Sequence, residues 1–560
     1  MRLLFLLLPC LLAAQVTVPE FELNHRIALS VNRLTDMDAR PAYTQDFLLA
    51  DVDLQPDDPR RFFNFSGDLS GRYIEVMSLV DPAKRGEVDL DELVSQVIAE
   101  QQEDGRFGDP ALTYTAEEIG GEHMALLWGN GRLLVGLMTY YEQTGDAAAL
   151  AAARRLGDFF IGTAEQSRKP EIAERLKGFG AKGIICFTQY IEGLVQLARA
   201  TGEEQYMQAA KDAYTVLPER GEVHTHGYLS TLRGVMLLHE LTDDASQLAY
   251  AKETFDALLA SDDYTRHGAV MEYFGGHGDR DEGCSSADFV RLAFQLHAAT
   301  GEARYLEVAE KGLLNALFYN QYASGDFGHH YFTEGGMSAS NPRRSWWCCT
   351  MHGLRALLEV RDHYVLVGDE EGSRLQMLVT QQYDRDGRSF TLRHQGQTAE
   401  TQTYELTIEE WDDTPLRLPQ PLGTELVSAS DTDGAPLRPK AGERYTLEYR
   451  FATTLHQAGD GRAMPVPDQP TAAYLTFGPY LMGMNQDDFV AEPDWGNQVS
   501  LSDLQSGKLP LSLQAIYRHG GYPGEQPVLL QPIGYQTYYD HPYVRVATAY
   551  TSEIVPVPAD

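Results

Sequence analysis

Cysteine is scarce in this chain: Cys10, Cys186, Cys284, Cys348 and Cys349 are all it has. So few thiols exclude a small scaffold stapled by disulfides. Basic charge is scarce as well. Forty-five Lys and Arg stand against 81 Asp and Glu, a formal net charge of −36. Such a surface should repel nucleic acid and polyanionic glycans at long range. No run of 18 apolar residues follows the start of the chain, so no segment reads as a membrane-spanning helix. What is present, 43% hydrophobic and 10% aromatic residues over 560 positions, is the composition of a globular protein too long for one core. Nothing in the sequence sets an oligomeric state.

The first residues, Met1-Arg2, then Leu3 to Leu8 and Leu11 to Ala14, combine a positive charge, a short apolar core and small residues. That pattern predicts a secretory signal over 1–14 and an exported protein, secreted or periplasmic. Residues 15–58 read as an extended, β-like lead-in packing on a later domain, on pieces such as Arg26-Ile-Ala-Leu-Ser-Val31. From Val88 the apolar spacing becomes helical. Amphipathic segments then run repeatedly into Thr-Gly-acid turns: Thr144-Gly145-Asp146, Thr201-Gly202-Glu203, Thr242-Asp243-Asp244, Thr300-Gly301-Glu302 and, more loosely, Val367-Gly368-Asp369. A glycine just past a helix end takes the left-handed cap. Five such turns predict stacked helical hairpins over 59–370. Periodicity alone allows an open solenoid or a closed (α/α)6 toroid. After residue 371 the texture changes to short alternating strands, with a hairpin signal at Asp386-Gly387 and alternation over Tyr445 to Phe451, predicting a β-sandwich region over 371–560. The expected class is therefore multidomain α + β.

The vicinal pair Cys348-Cys349 cannot easily close on itself, because an eight-membered disulfide ring strains the peptide. Together with Glu282 and Cys284 in Asp-Glu-Gly-Cys, it offers one hard and three soft ligands, a set suited to tetrahedral zinc. Bound metal would also protect exported thiols from oxidation.

Glu-x-Cys followed by Cys-Cys resembles the zinc-dependent cysteine glycosidases typified by β-L-arabinofuranosidase, glycoside hydrolase family 127. The resemblance favours the closed toroid. It implies Zn2+ held by Glu282, Cys284, Cys348 and Cys349, with Cys348 as glycosyl nucleophile; the residues alone do not separate Cys348 from Cys349. It also implies that Glu272, in Met271-Glu272-Tyr273-Phe274, is the acid/base, with Asp281 and Glu282 next in line. A retaining glycosidase needs such a pair on opposite sides of the anomeric carbon, and a metal-bound thiol is already deprotonated. For the sugar, the candidates are His226 and Tyr228 in His224-Thr-His-Gly-Tyr, Arg132 where the family presents a histidine, His329, His352 and Trp347. The implied substrate is a terminal furanoside of a plant or algal glycan. Two other readings remain open at this stage. One is a glycan-binding scaffold with structural zinc. The other is a toroid-fold polysaccharide lyase resting on Tyr228 and His226.

Overall fold

The computed structural model describes residues 19–55, 62–217, 220, 223–275, 280–333, 336–339, 344–398, 401–429, 436–457, 472–485, 498–500, 511–519, 522–538, 544–547 and 550–551. The expected signal at 1–14 lies outside the described residues.

Six helices form the inner wall of the helical region: Asp68–Leu79, Gly121–Thr144, Ile191–Thr201, Thr225–Thr242, Gly283–Thr300 and Cys349–Glu359. Each packs on the next, and the sixth packs back on the first. The ring is closed, which decides between solenoid and toroid. Between the first two inner helices the approach is backbone to backbone. A Cβ on Gly71 would lie 2.5 Å from Leu133 Cα, and one on Gly136 would lie 2.3 Å from the Gly71 carbonyl oxygen.

The predicted turns have a common construction. In each, the threonine hydroxyl donates to the carbonyl four residues back, at 2.8 Å for Thr144, Thr201 and Thr242 and 2.6 Å for Thr300. It also accepts from the amide two residues on. Gly145, Gly202, Gly301 and, without glycine, Asp243 take the left-handed cap. The fifth predicted turn differs. The sixth inner helix ends at Glu359 and continues as a π-turn over Val360–Tyr364, after which Gly368 lies in the strand Leu366–Asp369, paired with Gly372–Leu375.

Outer helices Leu90–Ala99, Ala147–Ser167, Glu204–Tyr214, Ala245–Leu259 and Ala303–Lys311 pair with the first five inner ones. The sixth inner helix is covered by Glu22–Thr35. The β-like lead-in is thus corrected: residues 22–35 and Gln45–Asp53 are helical. Leu23, Ile27, Val31 and Leu34 are buried at helical spacing, and that spacing outweighs the strand preference of isoleucine and valine. The segment does pack on the later region, since the Glu22 and Leu23 amides donate to Thr380 and Arg26 donates to the Gly534 carbonyl at 2.8 Å.

Beyond the ring the chain is strand-rich. Gln381–Arg385, Arg388–Gln397, Thr401–Glu410, Arg444–Phe451 and Thr424–Ala429 make an antiparallel five-stranded sheet. Asp386 and Gly387 both have positive φ, as the predicted hairpin requires. Tyr445, Leu447, Tyr449 and Phe451 face inward, and Phe451 meets Phe477 and Tyr480 of a second, larger sheet. That second sheet also takes in the hairpin Tyr331–Thr333 and Gly336–Ala339, which projects from the helical region.

Candidate active site

The N-terminal ends of the inner helices open on one face of the ring. His224, Glu282 and Cys348 each stand immediately before the fourth, fifth and sixth inner helix, and Cys284 and Cys349 lie in first turns. Unpaired amides at helix N-termini favour anions, so thiolate and carboxylate ligands are placed where the backbone supports their charge.

The four predicted ligands come together. Cys349 Sγ lies 3.5 Å from Cys284 Sγ, 3.6 Å from Cys348 Sγ and 3.9 Å from Glu282 Oε1. All four donor atoms fall within 4.8 Å of one another. Burial pushes the Cys284 and Cys348 thiols well up, and pushes the Glu282 carboxyl up with the help of the neighbouring Cys349 charge. Three sulfurs and one oxygen, buried and aimed at one point, fit a four-coordinate soft cation. Cys349 is fully buried, whereas Cys348 is 8% exposed. Cys348 is the less buried of the vicinal pair.

Glu272 sits on the other side of Glu282. Its carboxylate, the second oxygen of Glu282 and the His224 ring share a region 4.8 Å across. Arg280 donates to Glu272 Oε2, and His329 Nδ1 is 3.9 Å from the same oxygen. His224 Nε2 is 3.4 Å from Glu282 Oε2, while its buried Nδ1 has no hydrogen-bond partner among the described residues. Burial lowers His224 to about 4, so the ring is neutral at working pH. Trp128 and Tyr273 flank it edge-on, with centroids at 5.7 and 5.0 Å.

One helical turn beneath the cysteines lies a second cluster. Asp288 follows Cys284 by four residues and His352 follows Cys348 by four. Asp288 accepts from His226 Nδ1 at 2.6 Å and from His352 Nε2 at 2.9 Å. Arg72 donates to the remaining nitrogens, His226 Nε2 and His352 Nδ1, at 3.1 Å each, and its Nε reaches Asp68 at 2.9 Å. Lower still, Arg132, Arg233, Arg291 and Arg355 interleave with Glu75, Glu192 and Glu359 along the ring axis.

A sequence profile of the β-L-arabinofuranosidase GH127 catalytic domain matches residues 60–362, more than half the chain. The chain belongs to glycoside hydrolase family 127. The GH127 assignment makes the protein a glycoside hydrolase, so the scaffold reading falls. The fold is similar to that of a GH127 β-L-arabinofuranosidase from Geobacillus stearothermophilus T6, with TM-score 0.67 and 14% identity over 96% of this chain and 100% of that one. It is also similar to a second GH127 β-arabinofuranosidase, with TM-score 0.66 and 14% identity over 96% of each chain. At that identity the likeness shows the fold alone. No curated protein is a detectable sequence relative.

Within this GH127 frame several predicted sugar ligands are placed elsewhere. His226 and His352 have both ring nitrogens engaged by Arg72 and Asp288, leaving none for a hydroxyl. Arg132 is buried and spent on Glu192 and the Gln189 carbonyl; its charge belongs to the axial ion layer. Tyr228 is buried edge-on against Phe274, at 5.5 Å. Two residues apart on a helix point about 200° apart, so Tyr228 and His226 cannot form the lyase pair. His329 does reach the Glu272 side, and Trp347 stands at the mouth, 6.3 Å from Phe62. Asp281 is fully buried, with Oδ1 accepting from the His330 amide and Asn320 and Oδ2 without a hydrogen-bond partner among the described residues, whereas Glu272 keeps 6% exposure. His224, Arg72 and Asp288 went unrecognised as site residues. The signal for His224 was its place as the last residue before an inner helix.

Proposed function

We propose that the protein is an exported, retaining glycosidase that removes a terminal β-L-arabinofuranoside-like sugar from plant or algal glycans, with Cys348 as nucleophile and Glu272 as acid/base. The observation that carries this is the buried Glu282–Cys284–Cys348–Cys349 group, with Glu272 gathered against its Glu282 member. A zinc ion held by these four residues would keep the thiols deprotonated and make sulfur a tolerable leaving group. Cys348 Sγ attacks the anomeric carbon as the bond to the leaving oxygen breaks, and Glu272 delivers a proton to that oxygen. Glu272, now a carboxylate, takes a proton from water as that water displaces Cys348, and two inversions give retention. His224, neutral and with one free nitrogen, is placed to accept or donate at a sugar hydroxyl. The substrate reading leans on the named activity of the similar structures and on the leader-like first residues for export.

Aryl furanosides and pyranosides assayed with and without a chelator test the sugar and the metal together. A cyclic-epoxide sugar mimic, followed by mass spectrometry, should label Cys348 alone. Label on Cys349, or turnover indifferent to chelation, would overturn the mechanism.

A further inference from the structure

Among the described residues, the large apolar side chains left exposed are Phe62 at 38%, Phe63 at 69%, Phe179 at 50%, Leu422 and Val427. Phe62 and Phe179 lie near the N-terminal ends of the inner helices, where the bowl opens. Phe62 is 6.3 Å from Trp347, the residue preceding Cys348, and 5.4 Å from Phe65, which in turn touches Trp128 beside His224. Across the opening, Phe179 lies over Gly121, the first residue of the second inner helix, where a Cβ would come within 2.9 Å of its ring. Its neighbour Gly180 abuts Tyr273, which flanks His224 on the other side.

The floor of the bowl is closed under Cys348 by Arg72, His226, His352 and Asp288. A sugar reaching Cys348 therefore enters as a chain end, and whatever it is attached to projects back through the mouth, between the phenylalanines. We infer that Phe62, Phe179 and Trp347 form a leaving-group subsite that stacks a ring with a flat apolar face, either a second sugar or an aromatic aglycone. Apolar side chains in water are otherwise unfavourable, and aromatic rings in stacked contact contribute modest, geometry-dependent affinity.

This rests on the glycosidase reading, so the test separates the two. Phe62→Ala and Phe179→Ala alter exposed side chains and should leave the fold intact. Three substrates sharing one terminal sugar are compared: a methyl glycoside, a nitrophenyl glycoside and a disaccharide. Each variant should lower kcat/KM about three- to tenfold where a ring occupies the subsite, and leave the methyl glycoside within about twofold. A loss on the nitrophenyl substrate alone assigns an aromatic aglycone; a loss on the disaccharide assigns a sugar. Equal loss on all three, or loss on none, would overturn the subsite. Should the wild type cleave no glycoside, the glycosidase reading fails, and tryptophan fluorescence decides the subsite. Saturable quenching by nitrophenol or a methyl pyranoside, weakened by Phe62→Ala, supports it, and absent quenching overturns it.

Discussion

Two buried clusters, one helical turn apart on the same inner helices, look alike by residue type. Glu282, Cys284, Cys348 and Cys349 form one; His226, Asp288 and His352 form the other, and each brings its ligand atoms within 4.8 Å. They differ in what already satisfies them. In the lower cluster Arg72 donates to one nitrogen of each histidine, and Asp288 accepts from the other. Burial holds both histidines below their usual range, so each is neutral, with one donor and one acceptor already matched. Among the described residues, no arginine donates a hydrogen bond to the three sulfurs and the carboxylate of the upper cluster; Arg72 acts on them only at longer range. Burying anions without a cation is costly. Whether the cation is built into the chain decides which cluster is scaffold and which is site.

The largest expected effect comes from the upper cluster. Cys348→Ser should lower turnover by on the order of 10⁴- to 10⁶-fold with an unchanged circular dichroism spectrum. A variant retaining a tenth of the activity would exclude Cys348 as nucleophile. Glu272→Gln should lose about 10²- to 10⁴-fold on an alkyl glycoside but far less in the first step on a nitrophenyl glycoside. Azide should then restore turnover, because it needs no base; equal loss on both substrates without rescue would remove Glu272 from the mechanism. In the lower cluster, Asp288→Ala removes the buried acceptor shared by His226, His352, Arg233 and Arg291. It should cost about 3–5 kcal/mol of stability, read by denaturant unfolding, while metal content in the folded fraction stays at the wild-type level.

A third kind of buried acid sharpens the contrast. Glu310, in the fifth outer helix, accepts from the Leu422 amide at 3.3 Å, and burial pushes it up to about 8. Its ordinary value is near 4.5, so the native state holds a proton that the unfolded chain has released. The stability it contributes is full below about pH 4.5 and is lost as pH rises towards 8. Glu310→Gln, which keeps a neutral side chain throughout, should therefore gain on the wild type by about 3–4 kcal/mol between pH 5 and 8. Parallel pH profiles of Tm would contradict this.

Much of this was legible in the sequence because it is local. Thr-Gly-acid turns, the Asp386-Gly387 hairpin and the Tyr445–Phe451 alternation each depend on neighbours in the chain. The cysteine set was legible because so few thiols leave few combinations. The helix Glu22–Thr35 was misread because its isoleucine and valine favour strands, and Cys349–Glu359, on which it packs, begins more than 300 residues later. Arg72 was invisible for the same reason: its histidine partners lie 154 and 280 residues away. Nothing near Arg72 in sequence marks it. His226 and His352 were chosen as sugar ligands on type, and only the count of their occupied nitrogens removes them.

The contrast between the clusters reduces to metal analysis of three proteins purified without chelator and with reduced thiols: the wild type, Cys284→Ala and His226→Gln. About one zinc per chain is expected in the wild type, nearly none in Cys284→Ala, and the wild-type amount in His226→Gln. Zinc that persists in Cys284→Ala and disappears in His226→Gln would place the metal in the lower cluster and contradict the account.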